Sequence, residues 1–309
     1  MKVKDLSRTK QGHSTFPIAA VERDVGLSKD VLRVWERRYG FPSPERSPTG
    51  DRLYSLEQVD HLRLVKRLMD QGHRPGQLLS RSVAQLRALG AAQPRAQHPD
   101  SPVGGDFDEL LSHVTGPDND ALVQSLQQHL AREGLARFVQ DTAAPLSAMV
   151  GVAWQEGRLQ IYEEHRFTEA MARVLRQAIA GVPAGRAPRV LLTTVPNEPH
   201  ALGLLMAEAM LGMEGAYCLS LGTQTPLPDI VRGADAHRAD VVALSFSAAF
   251  PRRRIPALLT ELRQALPPRT GLWAGGAGVS RISEPPGVEL TGTWPDALAA
   301  LASWHGRRV

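Results

Sequence analysis

Over residues 189–309, five short apolar runs alternate with stretches of helical period, and this alternation restricts the fold more than any other feature of the chain. The runs are Arg189–Thr194, Ala216–Ser220, Val241–Ser245, Gly271–Ala274 and Val288–Leu290. The helical stretches are His200–Leu211, Pro228–His237, Ile255–Leu266 and Pro295–Ala302. A run too short for a helix and apolar at successive positions needs cover on both faces. A parallel sheet with crossover helices supplies it. Right-handed crossovers then predict an α/β flavodoxin-like (Rossmann-like) parallel-sheet domain, whose ligands bind beyond the carboxyl ends of its strands.

Two segments, Ala91–Gly105 and Gly181–Pro188, are rich in Pro, Gly and Ala and lack an apolar period, as linkers do. The chain therefore reads as multidomain: a head over 1–90, a linker over 91–105, a helical block over 106–182 and the α/β block over 186–309. The helical block carries patterns at Asp120–Arg132, Ala136–Ala153 and Gln160–Ala180 and predicts a small helical bundle. Charge divides along the same lines. Residues 1–95 hold 18 Lys and Arg against 10 Asp and Glu, whereas residues 96–309 hold 18 against 22. A basic head on an acidic body assigns contact with a polyanion to the head. No run approaches the roughly 18 apolar residues of a membrane span, and Met1–Asp5 is polar, unlike a signal peptide. The single cysteine, Cys218, forms no internal disulfide and no cysteine-rich zinc site. The expected compartment is the cytoplasm, with no membrane partner.

In the head, Phe16–Val25 reads as a short helix closing on Gly26, and Ser28 as the N-cap of Lys29–Tyr39. Two short helices joined in this way predict a helix-turn-helix. Val31, Val34 and Trp35 are expected on its apolar inner face, with Lys29, Arg33 and Arg37 outside, as in a helix that enters a major groove. Pro42–Gly50 is turn-forming, and with Arg46 and Arg52-Leu53-Tyr54 it predicts a wing. The strings Trp35-Glu36-Arg37-Arg38-Tyr39-Gly40 and Arg52-Leu53-Tyr54 resemble the winged helix-turn-helix of MerR-family transcriptional regulators over about residues 16–90. The resemblance implies binding to double-stranded promoter DNA at pseudo-palindromic sites, with self-association as a dimer or tetramer. Lys29, Arg33 and Arg37 are then candidates to read base edges, with Arg38 in the same set, and Arg46, Arg52 and Tyr54 to hold the backbone. No sustained heptads follow residue 90, so dimerisation through a long coiled coil is not expected.

His200 stands after the first strand of the α/β block, at the start of a helix, where a ligand of the sheet would sit. The pattern Glu198-x-His200-x-x-Gly203, then Ser245-x-Ser247, then Gly275-Gly276 resembles the cobalamin-binding motif Asp-x-His-x-x-Gly, Ser-x-Leu, Gly-Gly. This implies cobalamin bound base-off and His-on, with His200 as the lower axial ligand of cobalt. Glu198 would orient the imidazole, and Ser245 would hydrogen-bond the displaced dimethylbenzimidazole tail. Gly275 and Gly276 would leave it room. Glu198 replaces the usual Asp, and Ser247 the usual Leu.

Trp154 followed after nine residues by Glu164-His165 resembles the bundle that covers cobalamin in the CarH/LitR photoreceptor branch of MerR regulators. That resemblance implies adenosylcobalamin (coenzyme B12), with Trp154 stacked on adenosine, Glu164 bonded to it, and Ile161 and His165 beside them. Light-responsive members carry a His directly after that Trp. Here the position is Gln155, a poorer cobalt ligand than imidazole.

Three readings follow. In the first, a repressor binds adenosylcobalamin, forms a tetramer in the dark and releases DNA when green light breaks the Co–C bond, through lost multivalency. In the second, cobalamin is structural or a metabolic signal without light, or a regulatory protein partner controls the chain. The third is a corrinoid carrier subunit of an enzyme. Its substrate barrel of about 250 residues has no room here, so the expectation is a regulator and not an enzyme.

Overall fold

The computed structural model describes residues 15–70, 73–91 and 104–306. The chain forms two compact units, Met1–Arg95 with Gln155–Gly157, and Ala96–Trp154 with Arg158–Val309.

The head begins with Thr15–Pro17 (β1) and an eight-residue helix, Ile18–Val25 (α1), which Gly26 closes at a φ of 72°. Glycine enters this left-handed conformation without a Cβ penalty. Ser28 Oγ accepts from Val31 N and starts Lys29–Tyr39 (α2), and Gly40 ends it at a φ of 71°. Glu45–Arg46 (β2) and Arg52–Ser55 (β3) complete an antiparallel sheet of order β1-β3-β2. Phe16 pairs with Tyr54, which corrects the expectation that residues 16 and 17 open the first helix. Pro17 supplies the extended conformation before the helix and not its first turn. Leu56–Asp70 (α3), Pro75–Leu78 (α4) and Val83–Ala91 (α5) follow, outside what the sequence patterns had placed. They bury Leu62, Val65, Leu78 and Leu86 against Val21, Leu32, Trp35 and Tyr54. Of the expected linker, residues 92–103 lie outside the described residues, and Gly104 already opens a helix.

The second unit begins with the bundle: Gly104–Thr115 (α6), Asn119–Glu133 (α7), Leu135–Arg137 (α8), a π-helical turn over Phe138–Ala143, Ala144–Gln155 (α9) and Ile161–Ala180 (α10). Asp118 caps α7 by accepting from Asp120 N and Ala121 N, satisfying donors that a helix start leaves open. The sequence pattern over 136–153 reads as one helix, but the π turn interrupts it. Phe138, Leu146, Phe167 and Met171 form the bundle core, and Met206, Ala209 and Met210 of the α/β domain belong to the same cluster. Bundle and sheet domain therefore share apolar burial.

The sheet domain runs Arg189–Thr193 (β4), Leu202–Met213 (α11), Tyr217–Ser220 (β5), Leu227–Ala236 (α12), Val241–Ser245 (β6), Ile255–Ala265 (α13), Gly271–Gly275 (β7), Glu289–Thr291 (β8) and Trp294–Gly306 (α14). All neighbouring strands are parallel, in the order β5-β4-β6-β7-β8. Strand side chains alternate between two cores. Leu191, Val242, Leu244 and Leu272 pack with Ile230, Leu259 and Leu262 of α12 and α13. Val190, Leu192, Val241 and Trp273 pack with Leu204, Leu211 and Leu301 of α11 and α14. This is the two-faced burial expected of a doubly wound sheet. Among the described residues, no helix is long and apolar enough to cross a membrane.

Candidate functional site

Strands β4 and β6 are neighbours, yet the helices that follow them pack on opposite faces, α11 on one and α13 on the other. The strand order therefore reverses between them, and a crevice opens at their carboxyl ends. The loop after β4 is built into that crevice. Asn197 takes a φ of 68°, a conformation Asn tolerates better than most residues. Thr194 Oγ1 donates to the Glu198 carbonyl at 2.5 Å and accepts from Gln224 N at 2.8 Å.

Glu198 is only 1% exposed. Its Oε1 accepts from His200 Nδ1 at 2.5 Å and from His200 N at 3.2 Å, and its Oε2 accepts from Ser247 N at 2.8 Å. One carboxylate thus ties the loop after β4 to the loop after β6. Burial pushes its pKa up, but the hydrogen bonds from His200 and Ser247 outweigh burial and leave it below the ordinary carboxylate range. The His200 imidazole is raised from 6.5, chiefly by its hydrogen bond to Glu198, against the opposing effect of burial. A carboxylate at Nδ1 selects the tautomer whose lone pair is on Nε2, and the His200 side chain is 51% exposed. Nε2 is therefore presented for a metal atom, in the arrangement by which carboxylates orient ligating histidines.

The remaining motif residues stand on α11 and at the carboxyl ends of β6 and β7. Ser245 is buried, and its Oγ lies 2.4 Å from where a Cβ at Gly203 would stand. Ser247 Oγ is buried beside the Glu198 carboxylate, whose pKa it helps to lower. A Cβ at Gly275 would meet the Thr291 carbonyl at 2.9 Å, and one at Gly276 would meet the Phe246 carbonyl at 2.5 Å. The protein's own backbone therefore already accounts for both glycines, a reason beyond the room they were expected to leave for a ligand. Among the described residues, no three His, Cys, Asp or Glu side chains gather as a metal cluster. The donor set suits a metal that arrives with its own equatorial ligands and takes one imidazole. A presented Nε2, with its ring held at Nδ1 by a buried carboxylate, fits a cobalt corrinoid.

Glu164 electrostatically raises His200, which places a carboxylate of α10 near the imidazole. Glu164 Oε1 accepts from Thr168 Oγ1 at 2.9 Å. Glu163, unnoticed in the sequence reading, accepts from Gln160 N at 2.7 Å and forms a capping box that starts α10 just before Glu164. The spacing Gln160-x-x-Glu163 carries that signal. Trp154 packs against the bundle core, and Ile161 is partly buried. His165 departs from expectation. Its side chain is 72% exposed, with Nε2 3.7 Å from Glu164 Oε2, so it faces solvent.

In the head, Arg33, Arg37 and Arg38 are exposed on α2. Lys29 Nζ lies 3.4 Å from Glu22 Oε2, and Arg33 Nη1 lies 3.2 Å from Asp30 Oδ1. Two expectations are corrected. Val34 is 41% exposed, while Leu32 takes the inner position beside Trp35. Tyr54 is fully buried, because its strand pairs between β1 and β2, so it packs the core and does not present itself to a phosphate. Arg52 Nε donates to Glu36 Oε2 at 2.6 Å, and Arg46 donates to the Gly50 carbonyl at 3.0 Å while lying 3.9 Å from Glu36 Oε1. Glu36 of α2 thus anchors both wing arginines.

Comparison with known proteins gives three family matches along the chain. Residues 16–78 match the MerR HTH family regulatory protein pattern, and residues 106–179 and 188–301 each match a B12 binding domain. The HTH-type transcriptional repressor CarH of Myxococcus xanthus is 31% identical over 270 residues, 85% of this chain and 89% of the relative. The HTH-type transcriptional repressor CarA of the same organism is 30% identical over 258 residues, 82% of this chain and 84% of the relative. The Methanosarcina barkeri monomethylamine corrinoid protein superposes with a TM-score of 0.52 at 19% identity, over 64% of this chain and 98% of that one, which shows a shared fold. The chain belongs to the family of MerR-type HTH transcriptional regulators that carry B12 binding domains, a family of regulators and not of enzymes.

Proposed function

We propose that this protein is a cytoplasmic DNA-binding repressor whose self-association is controlled by adenosylcobalamin held base-off and His-on. The observation that carries the proposal is the Glu198 bracket, which joins His200 to Ser247 at the sheet's switch point with Glu164 of the bundle nearby. When bound, the cofactor supplies a cobalt–carbon bond that green light can break. His200 would hold cobalt from below, while Glu198 keeps the proton on Nδ1. Ser245, Ser247, Gly203, Gly275 and Gly276 would border the nucleotide tail. Trp154, Ile161 and Glu164 would enclose the upper ligand. DNA contact is assigned to residues 1–90, the upper cover to 106–182 and the lower face to 186–309. Because bundle and sheet share the cluster around Met206 and Met210, a change of upper ligand has a packed interface to act upon. An oligomer favoured in the dark, a tetramer in this reading, would present several heads to one operator and lose affinity when it separates.

A second reading dispenses with light: cobalamin is a structural or metabolic signal, or the chain works without it under a protein partner's control. It is favoured by Gln155, which stands directly after Trp154 where light-responsive members carry a His. Molar mass by light scattering, with cobalamin absorbance and an operator shift recorded in the dark and after green light, decides between them. A dark oligomer that dissociates on illumination supports the first reading. Bound cofactor with unchanged mass supports cobalamin as a signal without light, and no bound cofactor overturns the His200 assignment and leaves control by a protein partner.

A further inference from the structure

Helix α2 presents to solvent a side chain that the head's packing does not use. Val34 is 41% exposed, while Leu32 and Trp35 on either side of it are buried in the head core. Arg33, Arg37 and Arg38 are exposed on the same helix, and Val34 lies within one turn of each. A β-branched residue at an exposed helix position is a poorer choice than alanine for the free protein, because it restricts χ1 and gains no packing. A lone exposed apolar residue is ordinary on most surfaces. Here it stands amid the cationic face of the helix that follows the turn of a helix-turn-helix.

We propose that Val34 is a specificity-determining residue that contacts the C5 methyl of a thymine in the major groove. This rests on the DNA-binding reading above. The arginines around it carry the charge that holds phosphates and the donors that meet guanine. A short branched side chain between them reaches neither. The groove edge offers it one apolar feature, the thymine methyl. Val34 thus discriminates thymine from the other bases at one position of each half-site, without adding to the salt-dependent part of binding.

The test uses the full chain and the duplex it selects from a random-sequence DNA pool. Each selected thymine is replaced in turn by deoxyuridine, which removes only the methyl group. The wild type is expected to lose roughly fourfold in affinity at one thymine per half-site, the worth of one buried methyl. Val34→Ala is expected to bind the thymine and deoxyuridine duplexes equally there. Val34→Thr, which keeps a γ-methyl, retains part of the discrimination. Neither change disturbs the buried side of α2. If Val34→Ala selects the same sequence and keeps the wild-type thymine preference, the inference is overturned while the DNA-binding reading stands. If the wild type selects no sequence at all, the DNA-binding reading fails and this inference fails with it.

Discussion

His200 Nδ1 and Glu198 Oε1 lie 2.5 Å apart, and the other oxygen of the same buried carboxylate accepts from Ser247 N at 2.8 Å. Two loops 49 residues apart in sequence therefore share one acceptor, and the imidazole proposed to hold cobalt is aimed by both. Glu198→Gln preserves shape but leaves a single acceptor oxygen, so either His200 Nδ1 or Ser247 N loses its partner. Cobalamin affinity is expected to fall about 10- to 100-fold, as it does when such orienting carboxylates are lost at metal sites. His200→Ala should abolish axial histidine coordination. Titration followed by corrinoid absorbance measures both, and an unchanged affinity for Glu198→Gln would remove the carboxylate from the site.

The same pair sets a pH dependence. The hydrogen bond to Glu198 raises His200 above 6.5 in the cofactor-free protein. A raised folded value means that the pair's contribution to stability is fully present below about 6.5 and is lost as pH rises through the folded value. Protonation at Nε2 also competes with cobalt, so cofactor binding should strengthen with pH across that window. Imidazole proton resonances followed by NMR should show His200 titrating above 6.5, and Glu198→Gln should bring it down. A wild-type value below 6.5 would contradict the assignment.

Gly276 separates a role in folding from a role in binding. Its φ of 89° and ψ of 174° fall in a region that is essentially glycine-only, at a cost of about 1–3 kcal/mol for other residues. A Cβ would also press on the Phe246 carbonyl. Gly276→Ala should therefore destabilise the cofactor-free protein by about 2–4 kcal/mol, read as a lower thermal midpoint in the dark. Wild-type stability combined with lost cobalamin binding would assign this glycine to the ligand instead.

Arg166 holds the carboxyl end of α6. Its guanidinium donates to the carbonyls of His113 at 3.0 Å, Val114 at 2.7 Å and Gly116. These are acceptors that a helix end leaves without intrahelical donors. Arg166→Met keeps the apolar stem and removes every donor. The expected loss is about 2–3 kcal/mol, with the fastest gain in amide exchange along Gly104–Thr115. Unchanged exchange there would rule the capping role out.

Burial pushes the Cys218 thiol up to about 12, which leaves it almost wholly protonated at neutral pH and a poor nucleophile. Iodoacetamide at pH 8 should modify the native chain far more slowly than the urea-unfolded chain. Equal rates would mean that β5 opens readily.

Much of the candidate site was legible along the chain because its determinants are local. Glycine and serine at the ends of α2, the five apolar runs and the placement of His200 after the first of them all depend on neighbours within a few residues. Parallel order followed from runs buried on both faces, joined by helices. Val34 was misplaced because a short amphipathic pattern admits more than one orientation. Leu32 rather than Val34 faces inward because α3 and β3, more than a dozen residues away, cover that side. Tyr54 was read from its motif as a phosphate contact, but the pairing of β3 between β1 and β2 turns it into the core.

The sequence by itself determined the division into a basic head and an acidic body, the helix-turn-helix, the parallel sheet and the position of the imidazole at a strand's carboxyl end. Charge, capping and apolar period are properties of contiguous residues. Only the tertiary structure decided that Glu198 binds Ser247 as well as His200, that Glu164 lies near the same imidazole, that His165 faces solvent and that Met206 and Met210 join the bundle core. Each of these depends on which distant segment occupies the adjacent space. That is settled by close packing and by the need to give every buried polar group a partner.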